Sequence, residues 1–151
     1  MKTPTLVVQP RLGFGELKFG QSIEETVKFL GESQEIDQIE DEELFNTIIM
    51  HYWDIGTSIF FEGIDKPVLS CFETDNQDAL LFGEKVFHLS EDSIVNLMKT
   101  NGYKSIEIEV EEGEKRVSFE DGLIDFFFVS NKLIAVNWGV FVNNEGEIEE
   151  I

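Results

Sequence analysis

At 151 residues, 42% hydrophobic with 14 Phe, the chain is long enough for one domain to bury roughly 68–70% of its unfolded surface, and this composition excludes a disordered acidic tail. Its 31 Asp and Glu against 11 Lys and Arg leave a net charge of −20. That charge argues against nucleic acid or an anionic membrane as partner, since both demand a basic footprint, and suits either plain solubility or a basic protein partner.

The lead-in reads as extended, with Thr5 to Val8 an edge strand that Pro10 ends. Phe14 to Ser22, F-G-E-L-K-F-G-Q-S, then delivers a helix over 22–31. Ser22 and Glu25 form a capping box, Ile23, Val27 and Leu30 share one face with Thr26 beside them, and Gly31 is the stop. Glu32 to Asn46 holds seven acids and no base, which reads as a solvated edge strand or an acidic loop whose charges discourage edge-to-edge pairing. Thr47 to Asp54, Thr57 to Glu62 and Val68 to Glu73 are rich in β-branched and aromatic residues and read as a three-stranded antiparallel meander, closed by D-N-Q-D at 75–78.

Phe82 to Ser90, F-G-E-K-V-F-H-L-S, opens the second half. Ser90 heads a helix whose buried side is Ile94, Val95, Leu97 and Met98, ended by Asn101-Gly102. Lys104 to Val110 alternates polar and apolar at strand period. After a turn at Glu111 to Glu114, the segments Arg116 to Glu120, Leu123 to Val129 and Leu133 to Val140 read as a second meander, with Asp121-Gly122 and Ser130-Asn131 as hairpin turns. Residues 143–151 read as a frayed acidic tail.

The two nonamers match at Phe14, Gly15, Glu16, Phe19 and Ser22, which return 68 residues later as Phe82, Gly83, Glu84, Phe87 and Ser90. Asp54, Phe60 and Phe61 return as Asp121, Phe127 and Phe128 at a spacing of 67. Two matches at nearly one spacing, each in the same structural context, read as an internal duplication. The expected fold is α+β: a single domain over 1–151 built from two tandem helix-plus-antiparallel-meander repeats, 12–78 and 80–142, with pseudo-twofold symmetry and the helices on one face of a curved sheet. Within the motif, Phe19 and Phe87 read as hydrophobic staples ahead of each helix cap. The competing reading is a loop that shows Phe14 and Phe82 to a partner.

Gly20 to Gly31, G-Q-S-I-E-E-T-V-K-F-L-G, resembles the G-x-[ST]-x-x-E-V-x-x-x-L-G signature that opens the repeats of the β-lactamase inhibitory proteins and the related small outer-membrane assembly lipoproteins. Gly20, Ser22, Glu25, Leu30 and Gly31 fit, with Val27 one place late. In the second half Ser90 and Gly102 fit, while His88 stands where the first glycine belongs. The resemblance implies tandem repeats on one curved sheet and a protein that binds other proteins and catalyses nothing. The chain departs from that family in having no lipidation cysteine, no disulfide pair and no signal-peptide core in residues 1–12. In character it is also similar to small acidic immunity proteins.

No catalytic, cofactor or metal constellation assembles from the sequence. His51 lies mid-strand, His88 lies in the duplicated loop, and neither has a second ligand at metal spacing. Cys71, the single cysteine, reads as an inert thiol in an apolar strand. It points with the missing leader to a reducing, cytoplasmic setting. One feature exceeds a plain fold: Ile59 to Phe61 and Phe126 to Phe128 put apolar side chains on both faces of their strands, while two short helices cover only one. The expected function is therefore a non-enzymatic protein-binding module, inhibitor-like or immunity-like. Trp53, Phe60, Phe127, Trp138 and Phe141 form its candidate contact surface, and Glu40, Asp41, Glu42 and Glu43 steer a basic partner. The alternatives are a homodimer through the aromatic face, or a small-ligand binder with a pocket between the repeats.

Overall fold

Period-two alternation of apolar side chains dominates this chain, and it folds as a mostly β protein of mixed α+β class with two helices and two sheets. The computed structural model describes residues 4–40, 46–64, 66–143 and 145–149. The first half contains β1 (Val7–Gln9), β2 (Gly13–Phe14), β3 (Leu17–Lys18), α1 (Ile23–Leu30), β4 (Glu35–Glu40), β5 (Asn46–Tyr52), β6 (Thr57–Glu62) and β7 (Val68–Thr74). The second contains β8 (Leu80–Leu81), β9 (Glu84–Lys85), α2 (Glu91–Thr100), β10 (Ile106–Glu111), β11 (Glu114–Phe119), β12 (Ile124–Val129) and β13 (Lys132–Gly139).

Eight strands form one antiparallel sheet in the order β10-β11-β12-β13-β7-β6-β5-β4. Its halves meet where β13 pairs with β7, Val136 opposite Thr74, Asn137 opposite Glu73 and Trp138 opposite Phe72. Both halves carry a register shift, between Phe60 and Phe61 in one and between Phe127 and Phe128 in the other. The extra residues on the facing strands are Ser70 and Ile134, and such bulges tighten the local twist.

The second sheet, β3-β2-β1-β8-β9, joins the two halves through a parallel β1–β8 pair. The sequence gives no hint of it beyond an edge strand at Thr5 to Val8. β1 lies instead at the centre of this sheet, because the short hairpins on either side both need a partner for their backbone groups. The Gly13 backbone comes so close to β3 that a side chain there would lie 2.0 Å from the Leu17 carbonyl oxygen, at a φ of +154° that only glycine adopts readily.

Inward residues of the large sheet, among them Met50, Ile59, Phe61, Phe72, Val117, Phe126, Phe128 and Val136, make one core with Phe14, Leu17 and Leu81 of the small sheet and Leu30, Ile94 and Met98 of the helices. Trp138 is its centre. Phe14 meets it edge-on at 5.2 Å, Phe72 stacks on it at 5.3 Å, and its Nε1–H donates to the Gly13 carbonyl at 2.9 Å. That bond fastens the small sheet to the large one.

The helices follow their caps. The Glu25 N–H donates to Ser22 Oγ, the Ser22 N–H donates to Glu25 Oε1, and the Gly31 N–H closes α1 on the Val27 carbonyl. Ser90 caps α2 the same way, taking the Ser93 N–H. Phe19 and Phe87 are buried just ahead of these caps.

Phe14 is buried too, but Phe82 is half-buried against Tyr103 and occupies a turn. In the first hairpin Phe14 pairs with Leu17, whereas in the second Leu81 pairs with Glu84. The matching letters are therefore one residue out of step with the matching hairpins, and a one-residue step moves a side chain to the opposite face. Described residues of the tail, expected to fray, are paired. Ile148 bridges back to Val142, and Asn143 Oδ1 accepts the N–H groups of Glu145 and Glu147.

Candidate functional site

With one face of the large sheet sealed by the small sheet and the helices, alternation fixes what the other face shows. Cross-strand registers put Phe60 beside Cys71 and Ile49, Arg116 beside Phe127 and Glu109, and Asn137 between Glu73 and Asp125. The same parity places Glu35, Asp37, Glu62, Glu107 and Glu111 outward. Among the described outward strand residues the fixed cations are Arg116, paired with Glu109, and Lys132 at the β12–β13 turn. Glu107 is pushed up from its ordinary value by its hydrogen bond with Glu120 and by that neighbour's charge, as two carboxylates held close together are.

A depression of about 670 Å³ lies on this face, with Glu62, Cys71, Arg116, Asp125, Asn137 and Phe141 in its lining. The Cys71 thiol faces Asn137 Oδ1 at 3.3 Å, and burial, with the charges of Glu62, Glu73 and Asp125, pushes it up to about 12. The folded state thus holds a proton that the unfolded chain releases near the ordinary value of about 8.5, so this thiol's contribution to stability is intact below that pH and is lost as pH rises toward 12. At pH 8 we expect iodoacetamide to alkylate native Cys71 about 10³-fold more slowly than the urea-unfolded chain, because the thiolate is the nucleophile. Mass-spectrometric time courses check this, and a native rate within about tenfold of the unfolded one contradicts a shielded thiol.

Four of the sequence-chosen aromatics are accessible to different degrees. Phe60 and Phe127 are outward and half-buried, Phe141 is 56% exposed at the rim of the depression, and Trp53 is 55% exposed on the turn after β5. Trp138 is a correction: it is fully buried, on the inward face, because its position in β13 has the parity of Phe72 across the strand junction. Glu40 ends β4, and Asp41, Glu42 and Glu43 lie outside the described residues. The acids that do crowd this face are spaced along separate strands, so no local run in the sequence announces them.

A second group was also missed. β4–β5 pairing sets Glu35 opposite His51 and brings Asp37 within reach diagonally. Asp37 Oδ2 lies 2.8 Å from His51 Nε2, Ser58 Oγ lies 2.7 Å from Nδ1, and the imidazole stacks on Trp53 at 4.4 Å with 9° between planes. The reading of His51 as a histidine without neighbouring ligands is therefore corrected: its neighbours come from a strand 14 residues away. Carboxylate, imidazole and hydroxyl in a chain are the parts of an activated serine. Ser58 is only 7% exposed within the β5–β6–β7 ladder, and its hydroxyl is engaged with the imidazole.

No protein-family model matches the chain, and no curated protein sequence matches it. Among solved structures, an extracellular protein containing a SCP domain from Bacillus anthracis str. Ames is similar with a TM-score of 0.47 at 11% identity, over 92% of this chain and 47% of that one. The chain thus spans less than half the length of that protein, and a likeness at this level carries no argument about fold or function. No described helix is long and apolar enough to cross a membrane.

Proposed function

We propose that this protein is a non-enzymatic binding module that receives a basic protein on the open face of its large sheet, in the manner of an inhibitor or immunity protein. The observation that carries this reading is the outward face itself: half-buried Phe60 and Phe127 amid Glu62, Glu73, Glu109 and Asp125, with exposed Phe141 at the rim. Apolar rings give a partner area to bury, and the surrounding acids speed encounter and choose its charge. The same acids oppose a homodimer through this face, since two copies would bring like charges together.

We infer further that the fold is a tandem repeat with a pseudo-twofold axis normal to the sheet, as the resemblance to the β-lactamase inhibitory proteins implies. In its support, Met50 pairs with Ile59 as Val117 pairs with Phe126, and Ile59 pairs with Phe72 as Phe126 pairs with Val136. The bulges fall at equivalent places. The junction registers also mirror each other about the Glu73–Asn137 pair, which is the arrangement a twofold axis between those residues requires.

Affinity capture at about 50 mM and about 500 mM salt, with the wild type and a Phe60→Ala/Phe127→Ala/Phe141→Ala protein, tests the reading. Captured partners are expected to be basic, to release at high salt as screening lengths shrink, and to be lost by the variant. A partner held equally by the variant contradicts the proposed surface. The depression on this face favours one other reading, a small cationic ligand, since its volume lies in the range of ligand sites. That reading expects Asp125→Asn to weaken binding while Phe60→Ala leaves it unchanged.

A further inference from the structure

We propose that Glu35, Asp37 and His51 form a site for a divalent transition-metal ion, with zinc the best chemical match. Each offers one ligand atom, and the three atoms lie within 4.8 Å of one another. Metal–ligand bonds of about 2.0–2.2 Å ask for donors at such spacing after a small closing movement, which the exposed Glu35 and Asp37 side chains are free to make.

His51 is built for the task. Ser58 Oγ at 2.7 Å from Nδ1 and the stacked Trp53 fix its ring, as the outer partners of metal-binding histidines do. In the tautomer whose Nδ1–H donates to Ser58, the Nε2 lone pair faces Asp37, with Glu35 opposite His51 on the neighbouring strand. Nε2 lies 2.8 Å from the Asp37 carboxylate, a contact that an Nε2–H makes without a metal and that opens slightly to admit a cation bonded to both atoms at about 2.0–2.2 Å.

One imidazole with two carboxylates selects zinc, cobalt or nickel over calcium and magnesium, which prefer oxygen-only cages. Two carboxylate charges balance the ion's charge, and a chain of net charge −20 draws cations to its surface. Solvent at the exposed edge supplies the remaining ligands.

Calorimetric titration of the full chain with zinc chloride at about 0.15 M ionic strength, where diffuse attraction is screened, tests the site. The wild type is expected to bind one equivalent saturably, His51→Gln to weaken binding at least about tenfold, and Ser58→Ala to weaken it less. Nickel is expected to quench the fluorescence of Trp53, stacked on the ligating ring, and to spare Trp138. Should His51→Gln fold poorly, Glu35→Gln/Asp37→Asn removes two solvent-exposed ligands without touching the core and is expected to abolish the saturable phase. Equal zinc affinity in the wild type and either variant, or several weak equivalents in all of them, means diffuse adsorption to surface acids and overturns the site.

Discussion

Trp138→Ala is expected to destabilise the protein by about 4–6 kcal/mol. Removing a fully buried tryptophan costs about 3–5 kcal/mol through lost transfer energy and the cavity left behind. The Gly13 carbonyl, deprived of the Nε1–H at 2.9 Å, adds about 1 kcal/mol as a desolvated acceptor without a donor. Since domains are stable by only about 5–15 kcal/mol, the variant sits at the edge of folding, and with a slope of about 2 kcal/mol per molar its urea midpoint drops by about 2–3 M. Trp138→Phe keeps the packing against Phe14 and Phe72 and loses the hydrogen bond, so it falls between the two. If Trp138→Ala unfolded at the wild-type midpoint while losing a binding partner, the ring would belong to the interface and the inward placement would be wrong.

Phe126→Ala and Phe127→Ala, neighbours on β12, are expected to differ by about 2–4 kcal/mol. Phe126 is fully buried between Val117 and Val136 and meets Phe119 edge-on at 6.1 Å, so its truncation carries the full core cost of about 3–5 kcal/mol. Phe127 points outward, half-buried beside Arg116, and its truncation costs about 1 kcal/mol, in line with partial burial. Chemical denaturation of the two variants, read alongside Phe61→Ala and Phe60→Ala, checks both halves of the sheet at once. Equal losses at Phe126 and Phe127 would mean that both faces are covered and that no open face exists for a partner.

Much of the local structure is legible without coordinates. Both helix caps, the Gly31 stop, the Ser130-Asn131 turn and the strands of both meanders depend on residues close in sequence, and such signals act over one or two turns of chain. That Phe60 and Phe127 lie on the face opposite Ile59, Phe61, Phe126 and Phe128 also follows from alternation alone, because three consecutive apolar strand residues must divide between faces. The small sheet was not legible. Its strands are two or three residues long, too short for any period to show, and its central β1–β8 pair joins segments more than 70 residues apart.

Trp138 and His51 mark where sequence reasoning stops. Alternation says that Trp138 and Asn137 face opposite ways, yet which of the two meets the core depends on the register between β13 and β7 and on the small sheet that covers that side. His51 gains Glu35 and Asp37 only because β4 pairs with β5 in one particular register, and a slip of one residue would turn both acids to the other face. The sequence by itself determined the elements, their caps and the two-sided apolar strands, since these rest on neighbours along the chain. The tertiary structure decided which face is sealed, where the acids gather and which histidine has company, since strand register and layer packing are contacts between residues far apart in the chain.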